Sequence, residues 1–259
     1  MAPRFFVGGA DTVLAAESDF PLPEAVVRHA QVLRLAPGDA ITLFDGRGGS
    51  HAATLVELGK RHALARIGAH DAAEAEPPFR VTLAQGLAGG DKMDWLIEKA
   101  VELGVAAIQP LQASRSVVRL SGERAQKRHA HWQALVQAAC EQCGRNRLPA
   151  VAEVTNLDTW LARVAQASNV GDGGNGGTRL LVSPRAAQSL PALAAERRQA
   201  LLADGVTLLI GPEGGLAPDE EQAALRAGFT GVSLGPRILR TETAGLACLA
   251  TLNALLGGF

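Results

Sequence analysis

Two short apolar runs near the C-terminus, Val206 to Ile210 and Val232 to Leu234, each stop at a glycine-proline pair, Gly211-Pro212 and Gly235-Pro236. Proline cannot donate to a strand ladder and glycine accepts unusual dihedrals, so both runs read as buried strands ending in sharp turns. Helix-like sequence follows each loop. A third run, Leu180-Leu181-Val182, ends at Ser183-Pro184, so three strand ends converge, at Ser183, Gly211 and Gly235. In an open α/β sheet a ligand sits at the carboxyl ends of the strands, and glycine lets backbone groups approach it closely.

The loops narrow the chemistry. Gly211-Pro212-Glu213-Gly214-Gly215 lacks the Lys-Ser/Thr of a P-loop and the glycine spacing of a dinucleotide fingerprint, so phosphate cradling is poorly supported. Alone, it would serve as a strand-to-helix turn. The stretch from Pro236 to Ala244 sets Arg237, Arg240, Glu242 and two threonine hydroxyls around an Ile-Leu pair, directly before an apolar helix. Thr241 is expected to N-cap that helix, and Glu242 in its first turn suits the macrodipole. Capping accounts for neither Arg237 nor Arg240.

The first part of the chain reads as a separate β-rich unit. Phe5–Val7, Ala40–Phe44 and Ala52–Leu58 are expected strands, and Leu22–Leu35 has helical spacing through Val26, Ala30 and Leu33. Arg4, Arg34 and Arg47 near its loops are candidates to grip RNA phosphates, the alternative being scattered surface charge. Asp71 to Pro78 is acidic, ends in two prolines and reads as a linker. From Phe79 the pattern alternates: a strand over Arg80–Ala84, a helix capped by Asp91 with Met93, Leu96, Ile97, Ala100 and Val101 on one face, then a strand over Val105–Ile108. That is a βαβ unit, and it predicts a mostly parallel sheet covered on both faces. Lys92, Glu98, Lys99 and Glu102 are expected on the solvated side of its helix.

A net charge of −1 gives no bulk attraction to nucleic acid, so RNA contact must rest on a local patch. The segment Gln112–Ala150 supplies one. It holds Arg115, Arg119, Arg124, Lys127, Arg128, Arg145 and Arg147 against only Glu123 and Glu141. Clustered cations release counterions from a phosphate backbone, although a solvated helix face would look the same. Cys140-Glu141-Gln142-Cys143 lacks a second ligand pair for zinc and reads as two small hydrophobes near a helix end. Gly171 to Gly177 reads as a surface loop. Three cysteines, no signal peptide and no long apolar span favour a reduced, cytoplasmic setting.

The stretches LLIGPEGGL and LGPRILRTETA, with GDKMDWLIEKAVELGV, RSVVRL, HWQ and EQCGRNRLP upstream, resemble the RsmE family of ribosomal RNA methyltransferases, in the SPOUT superfamily. The likeness runs from Arg4-Phe5-Phe6 almost to Phe259. It implies transfer of a methyl group from S-adenosyl-L-methionine to N3 of a specific uridine in 16S ribosomal RNA, in the decoding region of the small subunit. It further implies an α/β fold: a SPOUT-type parallel sheet with a deep trefoil knot over residues 73–259, behind a small PUA-like β-barrel over residues 1–72, in a homodimer without metal. General topology argues against a knot, which rests on the resemblance alone. On this reading the cofactor is held by Ser183, Ile210, Gly211, Pro212, Glu213 and Gly214 from two strand ends. The third contributes Leu234, Gly235, Ile238, Leu239, Arg240, Thr241 and Thr243. RNA contact is expected at Arg4, Arg34, Arg115, Arg119, Arg145 and Arg147, all outside the strand-end loops.

Methylating N3 requires its proton to leave, so a base or a cation beside the developing uridinate is needed. Arg240 and Arg237 are candidates for the cation, and Glu242 either accepts the proton or caps its helix. Two rival readings remain from the residues themselves, a nucleotide-dependent enzyme and a non-catalytic ribosome-binding factor. The second would not need three polar strand ends at one place. The apolar run Ala244–Leu256 is too hydrophobic on all sides to face water alone, which predicts burial against a second copy, with Asp91–Leu103 a candidate to join the contact.

Overall fold

The computed structural model describes residues 2–9, 12–169 and 177–259. The expected loop over Gly171–Gly177 lies, apart from Gly177, outside the described residues. The chain divides into two compact units, Met1–Glu76 with Gln137–Leu148, and Pro77–Val136 with Pro149–Phe259.

The first unit contains β1 (Arg4–Phe6), β2 (Asp19–Pro21), α1 (Glu24–Val32), β3 (Ala40–Phe44), β4 (Ser50–Leu58) and β5 (Ala63–Asp71). The strands form one mixed sheet in the order β1-β3-β4-β5-β2, with β1 parallel to β3 and the other pairs antiparallel. Alternation puts Ile41 and Leu43 of β3, Ala53 and Leu55 of β4, and Ala63, Ala65 and Ile67 of β5 on one face. There they meet Val26, Val27 and Ala30 of α1 in a single core. Sequence reading misses β2 and β5. The second of these runs to Asp71, so the acidic stretch read as a linker begins on a strand.

The second unit begins with β6 (Val81–Gly86), α2 (Lys92–Glu102) and β7 (Ala107–Gln112). Next come α3 (Gly122–Cys143), whose last turns belong to the first unit, then β8 (Ala150–Val151), β9 (Thr155–Asn156) and α4 (Leu157–Asn169). It continues with β10 (Thr178–Val182), α5 (Leu190–Glu196), α6 (Arg198–Asp204), β11 (Val206–Ile210), α7 (Pro218–Arg226), β12 (Thr230–Val232) and α8 (Thr241–Leu256). The sheet is parallel in every pair, in the order β12-β10-β11-β6-β7-β8, with β9 also on β7. Leu181, Leu209, Ala84 and Leu111 pack beneath α4 and α7, while α8 covers β6 and β11 from the other face and packs on α2 and α5. A sheet buried on both faces explains why its strands read as continuous apolar runs. The connection after β10 leads to its neighbour β11, but the one after β11 passes back over β10 to β12. That reversal opens a crevice at the carboxyl ends of β10 and β11, the place where open α/β sheets hold ligands.

Two expectations about helices change here. Asp91 stands at the N-cap of α2, but its side chain makes no capping hydrogen bond. In α8, ten of the sixteen residues are buried within the single chain, Leu246, Leu249, Leu252 and Leu256 among them. A second copy is therefore not needed to cover the helix, because α2, α5 and the sheet already do so. No helix of the described residues is long and apolar enough to cross a membrane.

Candidate active site

The three strand ends enclose a cavity of about 440 Å³, within the range of small-molecule sites. Leu181–Pro184 come from the end of β10, Ile210–Leu216 from the end of β11, and Leu234, Gly235 and Arg237–Glu242 from the loop after β12. Of the residues expected to hold a cofactor, Ser183, Ile210, Gly211, Pro212, Glu213, Gly214, Leu234, Gly235, Ile238, Leu239, Arg240 and Thr241 all line it. Thr243 does not. It is exposed on α8, and Ala244 takes its place on the cavity wall, because helical phase turns position 243 away.

The loops approach so closely that several glycines have no substitute. A Cβ on Gly86 would overlap the backbone of Pro212, and one on Gly211 would lie 3.0 Å from the Leu216 nitrogen. Gly235 is different. It adopts φ +96°, and a Cβ there would meet nothing within 4 Å, so the glycine keeps cavity space open.

Thr241 corrects the sequence reading. Arg240 occupies the N-cap position without a side-chain capping bond, and Thr241 is the first helical residue. Its hydroxyl is buried and donates to the Gly211 carbonyl at 2.5 Å while accepting from Gln85 Nε2 at 2.8 Å. Gln85 Nε2 also donates to the Gly86 carbonyl at 2.9 Å. One buried threonine thus ties the ends of β6 and β11 to the start of α8, and no sequence signal names Gln85 as its partner.

Charge is distributed unevenly around the cavity. The Glu213 carboxylate accepts from the Gly89 N–H at 2.8 Å and from Lys92 Nζ at 3.1 Å. Burial opposes its charge, but the Gly89 N–H, its own backbone N–H and the Lys92 ammonium outweigh that and hold the carboxyl below its usual range. Lys92 lines the cavity instead of the solvated face expected of it; the signal that could have found it is its position just beyond the end of a fourth strand, β6. Arg237 and Arg240 are exposed at the cavity and have no partner among the described residues. Glu242 is only 8% exposed, and its Oε2 accepts no hydrogen bond from the described residues.

The arginines expected to bind RNA scatter. Arg145 is a correction: its side chain is 3% exposed and is gripped by Glu76 through Nε at 2.8 Å and Nη2 at 2.6 Å. A buried, bidentate ion pair is not available to phosphate. Arg147 pairs with Glu74 at 3.3 Å but remains mostly exposed. Arg4 is half-buried, donating to Asn146 Oδ1 at 2.6 Å and lying over the Phe44 ring. Arg115 is not outside the strand-end loops as expected, since it donates to the carbonyls of Gly214 at 3.3 Å and Leu216 at 3.4 Å. Arg119 and Arg34 are exposed. Cys140 is buried, and burial pushes its thiol up to about 12, in keeping with a small hydrophobe.

The model of the RNA methyltransferase domain matches residues 75–253, and that of the RNA methyltransferase PUA domain matches residues 22–68. The ribosomal RNA small subunit methyltransferase E of Synechocystis is 35% identical over 93% of this chain and 74% of its own length. That of Bacillus subtilis is 31% identical over 96% and 95%. A crystal structure of the Neisseria gonorrhoeae enzyme of that name, bound to S-adenosyl methionine, is similar at 40% identity with a TM-score of 0.86, covering 98% of both chains. The chain therefore belongs to the ribosomal RNA small subunit methyltransferase E family, the family its strand-end loops resemble.

Proposed function

We propose that the protein transfers the methyl group of S-adenosylmethionine to N3 of one uridine in 16S ribosomal RNA, and that the cavity at the ends of β10, β11 and β12 is where this happens. The observation that carries the reading is the meeting, in one cavity, of three strand ends, two of them glycine-proline, with an unpaired cation, Arg240, and a buried carboxylate oxygen, Glu242 Oε2, that accepts no hydrogen bond from the described residues. The cofactor fits the residues present: the space left open at Gly235 and the apolar walls of Leu181, Ile210, Leu234 and Leu239 suit a ligand with an adenine and an aliphatic arm. When bound, it supplies a methyl on a sulfonium whose leaving group is a neutral thioether.

The chain's own residues then have two tasks. The first is to hold the base in line with the methyl, which proximity alone favours by many orders of magnitude. The Thr241 hydrogen bonds to Gly211 and Gln85 fix the loops that do this. The second task is to remove the N3 proton: Arg240 stabilises the uridinate charge as it develops, and Glu242 Oε2 accepts the proton. Because N3 lies on the Watson–Crick edge, the base must enter unpaired.

The wider reading assigns residues 73–259 to methyl transfer, with a trefoil knot formed around the loops that Thr241 joins, and residues 1–72 to RNA contact with Arg4, Arg34, Arg115, Arg119 and Arg147 contributing. It places the protein in the cytoplasm as a homodimer. The contact is drawn through the row Ala247, Ala250, Thr251 and Ala254, which α8 leaves incompletely covered, and through Trp95, 46% exposed on α2. The decisive assay incubates unmethylated small subunits with the protein and labelled cofactor, then maps the product by nucleoside mass spectrometry. N3-methyluridine at a single site supports the proposal, whereas transfer to another atom or none overturns it.

A further inference from the structure

Three helices end in the same hydrogen-bonded turn, and one of them departs from the residue that turn prefers. After α2, the Gly104 N–H donates to Val101 and the Val105 N–H to Ala100; after α7, Gly228 donates to Leu225 and Phe229 to Ala224. Both turns close on a left-handed glycine, Gly104 at φ +78° and Gly228 at φ +85°. After α1 the same pair of bonds runs from Arg34 to Gln31 and from Leu35 to Ala30. Here the left-handed residue is Arg34, at φ +57°. A Cβ makes that conformation costly and glycine removes the cost. Strain kept at an exposed position points to a use for the side chain.

The surroundings indicate the use. Arg34 is exposed beside Val32, 78% exposed, and Leu33, 44% exposed. Gln31 Nε2 donates to the carbonyls of Gly59 at 2.8 Å and Lys60 at 3.2 Å, which seats the end of α1 against the β4–β5 turn, where Lys60 and Arg61 are exposed. Neighbouring Arg28 is matched by Glu24 at 3.4 Å, and His62 Nε2 lies 2.7 Å from Glu57 Oε1. Arg34, Lys60 and Arg61 have no acidic partner among the described residues. Unmatched cations around two exposed apolar side chains fit RNA, whose phosphates take the cations while a base or ribose covers the apolar pair.

We infer that the end of α1 and the β4–β5 turn form a docking surface for ribosomal RNA, keyed by an arginine held where the backbone favours glycine. The inference rests on the reading of the chain as acting on ribosomal RNA, and it uses none of the cavity residues. Arg34→Gly separates its two roles because they move in opposite directions. Its melting temperature is expected to rise by about 2 °C. Its affinity for unmethylated small subunits is expected to fall about fivefold, and its plot of log K against log salt to flatten by about one unit. Arg34→Lys should keep the affinity. Lys60→Ala with Arg61→Ala should lower affinity with the melting curve unchanged. Wild-type affinity and salt slope in both Arg34→Gly and the double variant would overturn the docking surface. If the wild type binds subunits with these dependences but transfers no methyl, the surface stands and the proposed reaction fails.

Discussion

The strand-end loops and the basic segment 112–150 make an instructive pair, since each is marked by local composition and only one converges in space. Twelve of the thirteen residues expected at a cofactor line the single cavity of about 440 Å³. The arginines of the basic segment have no common destination: Arg145 is buried on Glu76, Arg147 meets Glu74, and Arg115 holds the carbonyls of the Gly214 loop. Glycine and proline act on the backbone at their own position, so their meaning is carried locally. A charge takes its meaning from a partner, and here the partners lie about seventy residues or more away in sequence for Arg145 and Arg147, in a stretch that reads as an acidic linker.

The comparison is sharpened first by Arg145→Ala, which leaves the Glu76 carboxylate without its partner. Breaking such a pair costs about 3–5 kcal/mol, read as a lower denaturant midpoint, whereas Arg119→Ala should stay within about 0.5 kcal/mol. Equal effects would dissolve the distinction between the two arginines. Next in size is Arg240→Ala. A cation that stabilises charge only in the transition state should lower the single-turnover rate about 100-fold to 1000-fold at saturating RNA and cofactor. RNA affinity should hardly change, and an unaltered rate constant would make Arg240 structural and leave Glu242 as the better candidate for handling the proton. The smallest effect belongs to Thr241→Val, which removes the Gly211 bond and leaves one of the two Gln85 Nε2 hydrogens without its acceptor at the same shape. It should cost about 1–2 kcal/mol in thermal unfolding, with weaker cofactor binding by calorimetry. Undiminished stability would show that the bond is dispensable.

Much of the second unit is legible in sequence because parallel strands covered on both faces must be apolar throughout, and β11 falls on Val206–Ile210 as its Gly-Pro boundary predicts. Where the reading fails, the cause is tertiary. Thr241 has the residue type of an N-cap, yet a carbonyl just past β11 and an amide from β6 compete for its hydroxyl, and the helix starts one residue earlier than capping by Thr241 would set it. Thr243 is lost to helical phase, which a short motif does not fix. Strand β5, ALARIGAHD, carries glycine, alanine and charge that mask its alternation, and its pairing with β4 is interrupted by two register shifts. The apolar character of α8 is plain in sequence, but whether its own chain or a second copy covers it depends on α2 and α5.

Titration calorimetry of S-adenosylmethionine into Gly235→Val tests the cavity as the cofactor site. Gly235 lines the cavity with open space where a side chain would enter. The wild type should bind the cofactor, and Gly235→Val should show no binding at concentrations that saturate the wild type, with Gly235→Ala intermediate; the positive φ lowers the melting temperature of both variants, and a cooperative transition shows that they still fold. Wild-type affinity in a folded Gly235→Val protein would contradict the assignment of these loops to the cofactor.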